Sequence, residues 1–176
     1  PYTYAISALI SGKHKDWIKQ AYRWTVLGSG ILGLGIALGA FWSYETLGWG
    51  GFWAWDPVEN SSLIPWLFSL ALIHTMIIQK RENALIKTNY FLAIVTYTFV
   101  IFATFLTRSG VLGDVSVHSF ASAGSVVNIV LLLFFMLLFF VGIVLLIIKS
   151  KEASESARKI EIKTISREFM LILGAL

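Results

Sequence analysis

The residues best equipped for chemistry fall in two stretches. The first runs Leu47-Gly48-Trp49-Gly50-Gly51-Phe52-Trp53-Ala54-Trp55-Asp56-Pro57-Val58-Glu59-Asn60 and reaches Pro65-Trp66-Leu67, so four of the seven tryptophans lie within eighteen positions. Flat, polarisable indoles on a backbone loosened by Gly48, Gly50 and Gly51 suit a flat aromatic guest. Tryptophan also gathers at membrane interfaces whatever a protein does, and that reading stays open. Asp56 and Glu59 have two readings as well. They can contact a ligand, or they can cap a helix, with Asp56 at the N-cap, Pro57 at N1 and Glu59 closing a capping box. The second stretch, Arg108-Ser-Gly-Val-Leu-Gly-Asp-Val-Ser-Val-His118-Ser-Phe-Ala, carries one histidine and one cation. His118 is a ligand if a metal comes with a partner, and otherwise a solvated loop residue. Arg108 can pair with an anionic group of a ligand, or with Asp56, Glu59 or Asp114.

A third candidate, His74, sits inside an apolar run. Polar rings at lipid depth mark ion paths, relays or cofactors, or else they are core residues bonded to a carbonyl or a Thr. His14 lies among lysines and reads as surface. No spacing fits a zinc, calcium, nucleotide or hydrolase motif.

The elements that must position these groups are membrane helices. Of 176 residues, 57% are hydrophobic and 14% charged, and mean hydropathy is +0.76, against about 25% charged in a soluble domain. The fold class expected is all-α, a polytopic transmembrane bundle. Its four complete spans are Trp24–Tyr44, Ser62–Ile78, Tyr90–Leu106 and Val126–Ile148, each near the ~20 residues that cross a bilayer. Partial spans lie at Pro1–Ile10 and Phe169–Leu176, and the chain reads as an internal fragment of one membrane domain covering 1–176. Without cysteine, thiol relays, iron–sulfur clusters and thiolate zinc sites are excluded.

Thirteen of the fourteen Lys and Arg residues fall in the first, third and last connections, and only Arg108 lies opposite, beside Glu45, Asp56, Glu59 and Asp114. The positive-inside rule then puts the tryptophan stretch, 45–67, and the loop after Arg108 outside the cytoplasm. The mixed-charge stretch 150–167 reads as a cytoplasmic linker or helix. The basic clusters are topological signals, and no nucleic acid is expected as a partner. Gly35 and Gly39, in G-x-x-x-G spacing, read as helix-packing positions.

These motifs resemble a known family. Trp49-Gly50-Gly51-Phe52-Trp53-Ala54-Trp55-Asp56-Pro57-Val58-Glu59-Asn60 is similar to the WWD signature of the haem-handling proteins of cytochrome c maturation. Asp56-Pro-Val-Glu-Asn-Ser-Ser, Pro65-Trp66-Leu67, Leu72-Ile73-His74, Thr107-Arg108-Ser109-Gly110-Val111-Leu112 and Val117-His118-Ser119-Phe120 resemble the CcmF type, the membrane subunit of the haem lyase. The likeness covers about 35–121, and Gly113–Ser116 lengthens the approach to His118.

The resemblance implies a bacterial inner-membrane, multi-pass protein with its WWD loop facing the periplasm or outside. It implies that Trp49, Trp53, Trp55, Asp56, Glu59 and Trp66 surround haem and that no side chain is the catalytic nucleophile; Arg108, the sole outer cation and ten residues from His118, is then expected to pair with a haem propionate. It assigns His118 as an axial ligand of that haem and His74 as a ligand of a buried haem b, the reductant. The partner histidines would lie before Pro1 and beyond Leu176. It further implies a haem chaperone, apocytochrome c with its CxxCH segment, other maturation subunits and the membrane as partners. Related members only export or deliver haem without ligating it, and a scaffold anchored by its tryptophans is the third reading.

Overall fold

The computed structural model describes residues 1–47, 51–120, 124–157, 170, 172 and 174. Among these there are only helices: α1 (Tyr2–Ser11), α2 (Trp17–Leu47), α3 (Pro57–Glu82), α4 (Ile86–Arg108), α5 (Ser125–Ile148) and the short α6 (Ser150–Glu155). Four of them, α2 to α5, are long and apolar enough to cross a membrane. The chain is thus a multi-pass helical bundle, as its composition requires, because helices satisfy every backbone polar group where no water is available. The second extends beyond the expected span 62–78 at both ends, to Pro57 and to Glu82, with Pro65 inside it as the helix start at Pro57 required. The first reaches back to Trp17.

Short connections set the neighbours. Only residues 83–85 join α3 to α4, with Asn83 and Leu85 both at positive φ, and a connection that short folds the second helix back antiparallel on the first. α3 and α4 pack along their length, α2 lies against α3, and α5 lies against α4. Of the expected linker 150–167, residues 150–155 form α6, whose Ala153 is buried; the rest from 158 lies outside the described residues. So does most of the partial span 169–176.

The tight core is at the basic end. Leu9, Trp17, Leu72, Met76, Ile86, Tyr90 and Ala93 are buried together there. A polar network runs through them: Asn89 Nδ2 donates to Gln79 Oε1 (2.7 Å) and Gln79 Nε2 to the carbonyl of His14 (3.0 Å). His14 Nδ1 lies 2.9 Å from the Tyr90 hydroxyl. This corrects the sequence reading of His14, which is 2% exposed and not a surface residue. Its neighbouring lysines are exposed while its ring packs edge-on to Tyr90 of α4, on which Trp17 stacks at 4.8 Å.

α2 meets α3 by a different device. The Trp66 indole occupies the space beside Gly33, where an added Cβ would come within 2.6 Å of Nε1, and Nε1 donates to the Ser29 carbonyl at 3.1 Å. Ser69 Oγ donates to Ser29 Oγ at 2.8 Å one turn further along. The close approach therefore falls at Gly33, whereas a Cβ at Gly35 or Gly39 would meet nothing among the described residues.

A candidate cofactor site beneath the tryptophan loop

The sequence Asp-Pro-Val-Glu-Asn builds the mouth of the site from the first turn of α3. Asp56 is the N-cap, its Oδ1 accepting from the amides of Val58 (2.8 Å) and Glu59 (3.4 Å). Pro57 at N1 has no amide to satisfy and is preset in φ. Glu59 Oε2 reaches back to the amides of Asp56 (3.3 Å) and Ala54 (3.0 Å), so the capping box is closed and extended one residue into the loop.

Asn60 completes the clamp. Its Nδ2 donates to the Trp55 carbonyl (3.1 Å), and its Oδ1 accepts from Trp53 Nε1 (3.4 Å). Trp55 stands at φ 57°, a left-handed conformation rare for a bulky residue, and the Asn60 contact holds it there. Tyr44 at the end of α2 stacks on Phe52 at 4.4 Å, which ties the far side of the loop to the bundle.

The second stretch folds onto this turn. Ser116 Oγ donates to Asp56 Oδ1 at 2.7 Å and accepts from the His118 amide at 3.2 Å. His118 Nδ1 is 3.3 Å from Asp56 Oδ1, and Nε2 is 4.0 Å from Glu59 Oε1. Burial by itself would raise the pKa of the Asp56 carboxyl. The hydrogen bonds from Ser116, Val58 and Glu59 and the His118 contact outweigh it and hold the group below the usual carboxylate range. The positive end of α3 favours the same charge.

Below lies a cavity of about 700 Å³ between α2, α3, α4 and the loops, lined by Trp53, Glu59, His118, Arg108 and Phe120 along with apolar residues of the helices. That volume is within the ~300–1,000 Å³ typical of cofactor sites. Gly35 and Gly39 form part of its α2 wall, where the missing side chains leave room. The Arg108 guanidinium sits over the Phe120 ring at 4.4 Å, and no carboxylate among the described residues is within ion-pair distance of it. Among the described residues no three carboxylates or histidines converge as a cage for a bare ion. What the cavity offers an iron is an imidazole, with apolar walls for a macrocycle and one cation for an acidic substituent. That donor set fits a haem.

The candidates from the sequence thus separate. His118, Trp53, Glu59 and Arg108 line the cavity, and Asp56 stands behind His118. Trp66 is spent on the α2 contact, Trp55 is 73% exposed, and neither lines the cavity. Trp49 lies outside the described residues. Sequence reasoning missed Trp42, which lines the cavity on the face of Gly35 and Gly39; the i, i+4, i+7 spacing of 35, 39 and 42 was its signal. It also missed Ser116, two residues before His118.

His74 is elsewhere, part-way down α3. Its Nδ1 lies 2.8 Å from the Leu70 carbonyl, an acceptor, so the ring donates there and the lone pair of the neutral ring belongs to Nε2. A Cβ built on Gly174 would lie 3.6 Å from that nitrogen. This nitrogen could hold a haem iron.

The described residues thus form a multi-pass helical membrane bundle with a capped tryptophan turn over a histidine-bearing cavity. The family described as Cytochrome C assembly protein matches residues 8–112. Cytochrome c-type biogenesis protein ccl1 of Rhodobacter capsulatus is 47% identical over 122 residues, 69% of this chain and 18% of that protein. The CcmF proteins of Pseudomonas aeruginosa and Escherichia coli are each 43% identical over the same shares. The solved structure of Cytochrome c Heme Lyase CcmF superposes with a TM-score of 0.74 at 35% identity, covering 99% of this chain and 25% of that one. The chain belongs to the cytochrome c assembly family and, within it, to the CcmF type. It spans about a fifth of the length of the curated relatives it matches.

Proposed function

We propose that this chain forms the haem-holding part of a cytochrome c haem lyase. The tryptophan turn and the cavity under it seat haem for attachment to the CxxCH segment of apocytochrome c. The observation that carries this reading is a cavity among the described residues whose wall includes His118, Trp53 and Arg108. In this reading His118 ligates the iron, the indole of Trp53 packs on the macrocycle and Arg108 pairs with a propionate. Bound there, haem supplies the vinyl groups that take up the thiols and the iron whose redox state governs that addition.

The chain's own share is binding, orientation and exclusion of water; no side chain serves as nucleophile. His74 is assigned to a second, b-type haem within the bundle. The tryptophan turn faces the periplasm, and the basic end, with its tight core, faces the cytoplasm. The whole protein then works with a haem chaperone, apocytochrome c and further maturation subunits.

The test is haem transfer by the full-length protein, with its partner subunits, to a CxxCH peptide. Thioether formation that His118→Ala abolishes supports the reading. Haem binding with no transfer under any subunit combination replaces ligation with export or delivery.

A further inference from the structure

Asp56 is tied into the site more thoroughly than helix capping requires. Capping accounts for its bonds to the Val58 and Glu59 amides. It does not account for Ser116, sixty residues away in the chain, which donates to the same Oδ1 at 2.7 Å. Nor does it account for His118, whose Nδ1 lies 3.3 Å from that oxygen. Ser116 also accepts from the His118 amide, so backbone and ring of His118 are both referred to one carboxylate oxygen. The Asp56 side chain is 8% exposed and does not line the cavity, while His118 does. The order from α3 outward is therefore helix amides, carboxylate, imidazole, cavity.

A carboxylate behind a ligating imidazole fixes which nitrogen carries the proton, locks the ring plane and makes the ring a stronger donor. Nδ1 is buried against the carboxylate, so binding iron through it would break the contact with Asp56. We propose that Asp56, braced by Ser116, is the positioning residue of the cavity: it holds the proton on His118 Nδ1, presents Nε2 to iron and strengthens that bond. This rests on the haem reading of the cavity given above. Glu59 does not duplicate the role, because its Oε2 is engaged by the Ala54 and Asp56 amides and its Oε1 is 4.0 Å from Nε2.

The experiment uses the full-length protein purified in detergent, unmodified and as Asp56→Asn, Ser116→Ala and His118→Ala. It reads haem content, the midpoint potential of the His118-dependent haem and its iron–imidazole stretching frequency. Asn caps a helix as well as Asp, so Asp56→Asn keeps the turn and removes the anionic acceptor. The expected result is a stretching frequency that drops and a potential that rises by about 59 mV. That shift corresponds to a tenfold loss of preference for ferric over ferrous iron in a one-electron couple. Haem retention falls about tenfold, the lower end of what loss of a partner behind the ligand costs. Ser116→Ala moves both spectroscopic quantities the same way by less. Unchanged frequency in both variants, with haem bound, overturns the positioning role and leaves the haem reading standing. No His118-dependent haem in the unmodified protein overturns the haem reading and this inference with it.

Discussion

The Trp66 indole lies in the notch that Gly33 leaves on α2, with Nε1 donating to the Ser29 carbonyl at 3.1 Å. A tryptophan of the signature stretch is thus a structural bolt between the two helices that form the cavity's walls. Trp66→Phe keeps most of the ring but leaves the Ser29 carbonyl without this donor. A loss of about 1 kcal/mol is expected, comparable to one hydrogen bond, measured by thermal or denaturant unfolding in detergent.

Glycines on the same helix should respond oppositely. Gly33→Ala places a methyl 2.6 Å from Trp66 Nε1 and 3.0 Å from Cε2, and separating the helices should cost about 1–3 kcal/mol. At Gly35 and Gly39 a methyl meets nothing among the described residues. Alanine there should leave stability unchanged or improve it by up to about 1 kcal/mol through helix propensity. Since both glycines line the cavity, bulkier Gly39→Phe should lower haem loading without unfolding the protein. Equal destabilisation by Gly33→Ala and Gly35→Ala would contradict this assignment.

The buried His14 makes stability at the basic end depend on pH. Burial lowers its pKa, aided by Lys149 and opposed by Glu152. The folded state therefore prefers the neutral ring. Its contribution is fully present above the ordinary histidine value, about 6.5, and is lost as the pH falls through and below that range. Thermal unfolding followed from pH 8 to about 5 should show a steeper decline for the unmodified protein than for His14→Gln. Parallel curves would contradict it. Tyr90→Phe, removing the hydroxyl 2.9 Å from His14 Nδ1, should cost about 1–2 kcal/mol at neutral pH.

Much of this architecture was legible in the residues. The spans are dictated by hydrocarbon thickness, so long apolar runs identify them, and the Asp56–Glu59 capping box follows from side-chain reach three residues apart. What sequence could not convey was rotation and depth. Trp42 and Trp24 belong to one apolar run, yet only the turn of α2 puts Trp42 on the cavity side. His14 looked solvated because its neighbours are lysines, and its burial depends on Tyr90 and Gln79, more than sixty positions away. The pairing of Ser116 and His118 with Asp56 is likewise a contact between distant segments that local pattern does not encode.

Arg108 separates the propionate assignment from simple packing. Its guanidinium rests on Phe120 at 4.4 Å, and that contact needs only a cation over the ring. Arg108→Lys keeps the charge and loses the planar fork. Under the propionate assignment, haem content of the full-length protein should fall in the order unmodified, Arg108→Lys, Arg108→Ala. Equal haem content in all three would remove it.

A haem seated under the tryptophan turn requires iron held from His118. The decisive measurement is the reduced-minus-oxidised optical spectrum of the full-length protein, compared among unmodified, His118→Ala and His74→Ala forms, with and without added imidazole. Two separable haem signals are expected, one lost only in His118→Ala and restored by imidazole, the other lost only in His74→Ala. A spectrum that His118→Ala leaves unchanged rules out iron ligation by His118.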